Sequence, residues 1–405
     1  MKKIVWVFLL ALIFRLAITF VWHQMGRGDT LTTSDGTLFY EIAKNLVNGE
    51  GFHAYGGPVT RRPPMYPFFL TLFLNFPFPL AAQVAQALLG ALSCLILYGI
   101  GKELFNDKVG WIAGLLSAVD YLSIRQVLSI LTEVLFTFFL LCFFYCIIRF
   151  YKSGKKGWIL GAGILAGVTL LTKDVLLFYF PLVGLCFLLG EESLRVRLST
   201  SVLFLTVFLA TIAPWVIRNV LLLQKPVLIT VSSGHTFYLG NGPQTLGGTT
   251  GEEWELGKKT DYPKTSDFPP LYTVEADRYL FKKTFNHIVA HPGRFFELVG
   301  IKIINMWRPY ESRSPLLSKI FTTVTYIPVF ILGAVGVGKT IHQWEKLLPI
   351  FVFFVYMFGI HAVTLASIRY RFPVMPLLMV FAAYSLSAVF ETLRRKFVVY
   401  HPCEV

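Results

Sequence analysis

The chain has 405 residues, of which 55% are hydrophobic and only 15% charged, and its mean hydropathy is +0.62. A soluble globular protein is about one quarter charged, so this composition excludes that class and indicates a polytopic membrane protein. The net charge of +14 does not indicate a nucleic-acid partner, because an excess of Lys and Arg in a membrane protein is explained by its cytoplasmic loops and no basic stripe lies on a soluble domain.

The apolar runs predict an all-α fold with about ten transmembrane helices, since about 20 apolar residues cross the hydrocarbon core. Lys2 and Lys3 precede the first run and hold the N-terminus in the cytoplasm. No small-residue cleavage site follows, so this run is expected to stay as an anchored helix, with Arg15 either snorkelling or meeting a carboxylate. The predicted spans are residues 4–22, 80–100, 109–124, 127–148, 158–171, 175–189, 198–220, 315–337, 347–366 and 372–390.

Two polar segments interrupt the single membrane domain of residues 1–405 and are predicted to be extracytoplasmic. In the first loop, residues 23–79, a short amphipathic helix is expected over 37–47, with Thr33 or Ser34 as N-cap and Asp35 in the first turn. An acid there also complements the helix dipole without any catalytic role, so both interpretations stay open. The large loop, residues 223–314, has a Gly-rich part and a helical, amphipathic part that is expected to lie on the membrane surface.

Three motifs are interpreted as structural features without a catalytic or ligand-binding role. Residues Gly333–Thr340 match the Walker A pattern, but the next span follows too soon for an α/β domain, so helix packing is expected instead. His287 and His291 share a helix face but lack a third ligand close in sequence. The five cysteines form no disulfide framework or paired metal motif and are interpreted as small core residues.

A group of charged residues is predicted to gather at the extracytoplasmic boundary. A carboxylate there can take a proton from an acceptor hydroxyl, and fixed cations can stabilise the charge that grows on a departing phosphate. This pattern alone leaves a transferase, a transporter and a structural or receptor role open. The carboxylates are Asp35 and Glu133, and the cations are Arg62, Lys173, Arg369 and Arg371.

Short motifs around these residues follow one another through most of the chain. They are SDGTLFYEIA from Ser34, RRPPMYPF from Arg61, LTEVLF from Leu131, LTKD from Leu171, PWVIRN from Pro214, GNGP from Gly240 and RYRFPVMP from Arg369. In this order the set resembles the GT-C superfamily of polyprenyl-phosphate-sugar-dependent glycosyltransferases. Within it, the chain is similar to glycosyltransferase family 39, which includes dolichyl-phosphate-mannose-protein mannosyltransferases, and to the lipid A aminoarabinose transferases.

The resemblance implies an inverting transfer in which Asp35 is the general base that activates the acceptor. It places Arg62, Lys173, Arg369 and Arg371 on the lipid phosphate, and it puts Glu133 where the family has a second acid that orients acceptor or donor sugar. Arg61 stands where the aminoarabinose enzymes have an acid, so a metal near it is doubtful. The large C-terminal soluble domain of some members is not expected either, so the acceptor cannot be assumed to be lipid A.

The sequence-based hypothesis is therefore a glycosyltransferase that moves a sugar from a polyprenyl-phosphate donor to a lipid, protein or glycan acceptor, through a hydroxyl or phosphate group. The resemblance suggests a bacterial inner membrane and a site facing the periplasm or exterior. No cofactor is certain, and a divalent metal is left open. The alternative is a transporter or flippase of lipid-linked glycans, which would predict ionisable residues in mid-membrane and a repeated half.

Overall fold

The computed structural model describes residues 2–27, 33–189, 192–246, 269–270, 272–310 and 314–400. The described chain is almost entirely helical and contains one two-stranded antiparallel hairpin, β1 (His53–Ala54) with β2 (Gly57–Pro58). The α-helices are α1 (Lys2–Gln24), α2 (Ser34–Val47), α3 (Met65–Thr71), α4 (Leu80–Leu104), α5 (Asp107–Val119), α6 (Tyr121–Gln126), α7 (Glu133–Ser153), α8 (Lys156–Thr172), α9 (Tyr179–Cys186), α10 (Leu194–Leu223), α11 (Ser233–Asn241), α12 (Val274–Ala290), α13 (Pro292–Trp307), α14 (Leu316–Thr340), α15 (Trp344–Val363) and α16 (Met375–Tyr400).

Five helical segments of the described chain are long and apolar enough to cross a membrane, and the all-α polytopic fold is confirmed. The longest, Leu316–Val363, contains both α14 and α15. Three shorter apolar helical segments accompany them, and the number of about ten spans stays a prediction. The five long segments are Lys3–Gln24, Leu80–Leu104, Glu133–Ser153, Leu194–Leu223 and Leu316–Val363, and the shorter ones are Lys156–Thr172, Asp174–Leu189 and Met375–Glu391.

Helix boundaries differ from the prediction where polar side chains redirect the backbone. The predicted span 109–124 is divided at Asp120, whose carboxylate accepts from the Ser123 backbone N–H and caps α6. The predicted span 127–148 becomes α-helix only at Glu133, because the preceding residues form a turn. This later start puts Glu133 in the first turn of α7 instead of inside a span.

Helix α7 lies at the centre of the bundle. In its apolar segment 61% of the residues are buried within the protein, against 22% in the first span. Helix α7 packs against α4 and α8, and α8 in turn packs against α10. Phe143 and Phe144 of α7 are fully buried, with Phe180 and Phe353 each 5.3 Å away between ring centroids. Since lipid is as apolar as these rings, close packing supplies the attraction between the helices. A residue at the start of α7 therefore lies amid the other helices.

Arg15 in α1 does not snorkel; it forms no salt bridge within the described part of the chain, but its charge acts on the buried carboxylate of Asp120. Its side chain is 1% exposed and donates to the backbone carbonyls of Ser117 and Ala118, at 3.2 and 3.5 Å, where α5 ends. Those carbonyls lack helical partners, and a cation also complements the negative end of the helix dipole. A Cβ on Gly90 would lie 2.7 Å from Arg15 Nε, so a side chain there would have to displace the buried arginine.

Two glycines of the Walker-like segment, Gly333 and Gly336, belong to α14 and pack against α16, as the sequence interpretation expected. A Cβ on Gly336 would lie 2.1 Å from the Phe381 carbonyl oxygen, and one on Gly333 would lie 2.5 Å from the Leu378 side chain. Small residues of this kind allow close approach of membrane helices. The motif is thus part of a helix contact.

Candidate active site

Asp35 stands at the beginning of α2. Thr33 is the N-cap, and its side chain accepts a hydrogen bond from the Gly36 backbone N–H. A Cβ on Gly36 would lie only 3.1 Å from the Ile130 carbonyl oxygen, so the first turn of α2 lies directly against the turn that precedes α7. This contact brings Asp35 towards Glu133, although the two are far apart in sequence.

Glu133 is held by long-range contacts to the turn before α7. Gln83 and Gln86 of α4 donate to backbone carbonyls of residues 127–129, and Gln86 also accepts from the Tyr66 hydroxyl at 2.9 Å. The Glu133 side chain is 1% exposed and lies in the first turn of its helix, where the dipole favours a negative charge. A buried carboxylate is nevertheless costly unless cations accompany it.

Two cations share one oxygen of this carboxylate. Lys173 follows the end of α8, and its Nζ donates to Glu133 Oε1 at 2.9 Å. Arg369 Nε donates to the same oxygen, while the other oxygen, Oε2, is buried and has no hydrogen-bond partner among the described residues. Glu133 is therefore paired on one side only.

Arg369 joins the two carboxylates. It lies in the 3-10 helix Ile368–Arg371, where the Ser367 hydroxyl accepts from its backbone N–H. Its Nε binds Glu133 and its Nη1 lies 3.4 Å from Asp35 Oδ2, while Arg62 Nη2 donates to Asp35 Oδ1. Five of the six residues named from the sequence thus form one continuous ionic cluster, consisting of Asp35, Arg62, Glu133, Lys173 and Arg369.

The electrostatics of Asp35 are dominated by its two arginines. Burial raises its pKa, but the charges of Arg62 and Arg369 and their hydrogen bonds outweigh burial and hold the pKa below its ordinary value. Asp35 is therefore ionised at neutral pH. Two carboxylates face three cations in the cluster, which leaves one positive charge in excess.

The structure does not bring Arg371 to this cluster. Its fully buried guanidinium donates to the carbonyls of Arg308 and, at 3.0 Å, Pro309, and it lies 3.8 Å from the centroid of the Tyr326 ring. A 3-10 helix has about three residues per turn, so side chains two positions apart point about 120° away from each other. Arg371 therefore fixes the end of α13, while Arg369 faces the carboxylates.

Three further side chains near the cluster were not identified from the sequence. Tyr370 stacks on His361 with centroids 4.6 Å apart, and its ring centroid lies 5.1 Å from Lys173 Nζ. Asp174, the residue after Lys173, accepts from the Thr230 hydroxyl. The third is Tyr66, whose bond to Gln86 is described above. The RYRFP and LTKD motifs contain the first two, but residue type alone did not distinguish them from packing residues.

The residues around Asp35 do not fit a divalent cation. Both its oxygens accept from guanidinium groups, and the nearby Arg61 carries a third, which lies 3.9 Å from the centroid of the Tyr272 ring. Within the described part of the chain, no three His, Cys, Asp or Glu residues are grouped to hold a metal. His287 and His291 lie near each other, with ring centroids 4.6 Å apart.

Comparison with known proteins agrees with this architecture. The sequence profile of the family described as dolichyl-phosphate-mannose-protein mannosyltransferase matches residues 61–217. No curated protein matches the sequence. The matched region begins at the arginine pair and contains Glu133 and Lys173, but it leaves out Asp35 and Arg369.

Solved membrane enzymes have a similar fold. The apo form of the Archaeoglobus fulgidus oligosaccharyltransferase matches with a TM-score of 0.58 at 12% identity, covering 98% of this chain and 52% of that one. The oligosaccharyltransferase AglB of the same organism, in complex with an inhibitory peptide and a dolichol-phosphate, gives a TM-score of 0.56 at 12% identity, with 99% and 52% covered. ArnT from Cupriavidus metallidurans, bound to undecaprenyl phosphate, gives 0.50 at 14% identity, with 93% and 60% covered.

The fold and the cluster define an all-α polytopic membrane protein with a charged site where several helices end. The chain has the fold of the GT-C superfamily of membrane glycosyltransferases, and residues 61–217 are similar to its dolichyl-phosphate-mannose-protein mannosyltransferases. It spans about half the length of the oligosaccharyltransferase structures that it matches. Identities this low show the fold, and function must be argued from the site.

Proposed function

We propose that the chain is an inverting glycosyltransferase that takes a sugar from a polyprenyl-phosphate donor and transfers it to a hydroxyl or phosphate acceptor. The observation that carries this proposal is the continuous cluster of Asp35, Arg62, Glu133, Lys173 and Arg369. It combines an ionised carboxylate with an excess of positive charge. Dolichol-phosphate in the AglB structure and undecaprenyl phosphate in the ArnT structure support the same class of lipid for the donor.

The chemistry divides between the carboxylates and the cations. Asp35 takes the proton of the acceptor hydroxyl, the acceptor oxygen forms a bond to the anomeric carbon, and the bond from that carbon to the phosphate oxygen breaks. Arg62, Lys173 and Arg369 stabilise the charge that remains on the lipid phosphate. Because one displacement occurs on the face opposite the leaving group, the product has the inverted anomeric configuration.

The ion pairs of Asp35 in the donor-free protein give donor binding a further role, which is to activate the base. Arg62 and Arg369 neutralise Asp35 until a phosphate competes for them, since a phosphate offers them more acceptor oxygens than a carboxylate. When they turn towards the donor, Asp35 becomes a stronger base. The unpaired Oε2 of Glu133 is then the acceptor for a hydroxyl of the sugar or of the acceptor molecule.

The proposal places residues 23–79 and 223–314 at the extracytoplasmic face of a bacterial inner membrane. A polyprenyl-phosphate sugar enters sideways from the lipid, and the acceptor, whether lipid, protein or glycan, arrives at the same boundary. The positive-inside distribution of Lys and Arg supports this orientation.

Sugar transfer by the purified protein tests this function. In nanodiscs, with a panel of radiolabelled polyprenyl-phosphate sugars and crude membrane acceptors, Asp35→Asn is expected to lower transfer by about 10²–10⁴-fold, the usual contribution of a general base. The matched control is Glu50→Gln, an exposed acid that follows α2, which is expected to retain wild-type activity. Undiminished turnover in Asp35→Asn would remove Asp35 as the base. Saturable binding of lipid-linked glycans without turnover of any donor would favour the transporter alternative.

A further inference from the structure

Helices α11 and α13, outside the ionic cluster, meet the end of α15. Gly240 lies so close to this end that a Cβ there would be 1.7 Å from the Thr364 carbonyl oxygen. The side chain of its neighbour, Asn241, donates to the carbonyl oxygens of Val363 at 2.9 Å and Thr364 at 3.4 Å. The GNGP motif therefore packs directly on the last turn of α15.

Lys302 of α13 completes this contact. Its side chain is fully buried, and Nζ donates to Asn241 Oδ1 at 2.7 Å, to the Val363 carbonyl at 3.0 Å and to the Thr364 carbonyl at 3.3 Å. Burial lowers the pKa of Lys302 to about 7. In its protonated form the ammonium group has three N–H donors, and here each has one acceptor. Lys302 forms no ion pair among the described residues, so the carbonyl oxygens at the negative end of α15 are its counter-charge.

A short, fully constrained segment connects this anchor to Arg369. The Leu365 carbonyl is 3.0 Å from His361 Nδ1, and Leu365, Ala366 and Ile368 are buried. The Ser367 hydroxyl then caps the 3-10 helix that carries Arg369. Each residue between Thr364 and Arg369 is either buried or hydrogen-bonded. A displacement of the end of α15 is therefore transmitted to the Arg369 guanidinium.

We propose that Lys302 and Asn241 are positioning residues, which hold the end of α15 so that Arg369 stays between Asp35 and Glu133. This inference rests on the proposed function, because it assigns Lys302 to the same site through Arg369. It also gives the GNGP motif a physical role. Asn241 and Lys302, which belong to the predicted loop 223–314, thus act on the cluster through the end of α15 and are not themselves members of it.

Donor kinetics provide the first test. Lys302→Met and the smaller change Asn241→Ala are each expected to lower kcat/KM for the donor by about 10²-fold, the loss typical of a misplaced catalytic group. The loss should disappear in the Arg369→Ala background, because residues that act as a unit are not additive. Lys282→Met removes an exposed lysine of the neighbouring α12 and is the control with unchanged kinetics. Full activity of both variants, or losses that add to that of Arg369→Ala, would overturn the proposal.

Hydrogen–deuterium exchange provides a test that does not need activity. Lys302→Met and Asn241→Ala should both accelerate exchange of residues 364–371, and Lys282→Met should not. If the wild-type protein transfers no sugar, the proposed function fails, yet this exchange still decides whether Lys302 holds the segment of Arg369. Unchanged exchange in both variants contradicts the positioning role, and so does faster exchange with unchanged kinetics in an active enzyme.

Discussion

At the scale of single residues, Asp35 is a base whose proton affinity is set by its neighbours. Each of its oxygens faces a different arginine, which holds its pKa below the ordinary value. A carboxylate with a depressed folded-state pKa stabilises the fold fully above its unfolded-state pKa, and this stabilisation is lost as the pH falls through the folded-state pKa. Asp35 accordingly stabilises the protein throughout the neutral range and ceases to do so only in acid.

Removal of Arg62 should change the pH dependence of transfer. In Arg62→Met, burial still raises the pKa of Asp35, while one of the two opposing arginines is gone, so the pKa rises. The acid limb of kcat/KM is therefore expected to move to higher pH than in the wild type, together with a higher KM for the donor. Rate profiles at saturating acceptor measure both effects.

The control for this experiment is Arg278→Met, which removes an exposed arginine of α12. Arg278→Met should leave the acid limb at the pH of the wild type. Any titration of the donor phosphate affects the wild type, Arg62→Met and Arg278→Met equally. An unshifted limb in Arg62→Met would mean that a group other than Asp35 determines the acid limb.

Sequence reasoning selected five residues that the fold brings together, because charged groups are rare in a membrane protein and their motifs have a family order. It also grouped Arg371 with Arg369, since the sequence does not show that a 3-10 helix separates the two side chains. Lys302 was not identified, because its role depends on carbonyl groups of a distant helix and backbone acceptors have no signature in the sequence.

At the scale of helices, Gly90 of α4 leaves room for the buried arginine of α1. The buried Arg15 side chain lies across Gly90 and caps α5, with no space for a methyl group. Gly90→Ala should thus destabilise the protein by about 1–3 kcal/mol, the usual cost of overpacking a core. Thermal unfolding in detergent, followed by tryptophan fluorescence, measures this difference.

The matched control is Gly338→Ala, in a helix position where an added Cβ meets nothing within 4 Å. It should be neutral or slightly stabilising, because alanine has the higher helix propensity. Equal unfolding temperatures of Gly90→Ala and the wild type would show that α1 moves to accommodate the methyl group.

Apolar runs predicted that most of the helices exist, but they did not predict the turns that interrupt these helices. The turn before α7 is held by Gln83 and Gln86 of α4, more than forty positions earlier in the chain. A run of apolar residues gives no information on where such a partner redirects the backbone. The start of the helix that carries Asp35 was different, because its signal is local: Thr33 is the N-cap and Asp35 lies in the first turn, as predicted, although the amphipathic pattern itself was placed only from residue 37.

At the scale of the whole molecule, α7 sets the direction of the site across the membrane. Glu133 begins this helix and Ser153 ends it, so 21 residues, or about 30 Å, separate the cluster from the loop that contains Lys155. With α7 crossing the membrane as we propose, the cluster and this basic loop lie on opposite sides of the hydrocarbon core. Our proposed orientation puts Lys155 in the cytoplasm.

Side-specific thiol labelling tests this orientation. In a variant whose five cysteines are replaced, Glu50→Cys should react with a membrane-impermeant maleimide in intact spheroplasts. Lys155→Cys, at a position that is also exposed, should react only after permeabilisation. The reverse pattern would place the cluster on the cytoplasmic side and contradict the proposed localisation.

The sequence separations within the ionic cluster have a consequence for biosynthesis. Arg62 follows Asp35 by 27 residues and Lys173 follows Glu133 by 40, whereas Arg369 comes 236 residues after Glu133. A nascent chain that has emerged as far as Lys173 can therefore insert both carboxylates as locally neutral pairs. The net positive charge that would attract a lipid phosphate arises only when Arg369 and the last membrane helices have been synthesised. A prematurely terminated chain therefore contains both carboxylates and their first cationic partners, but it lacks Arg369, which joins the two pairs.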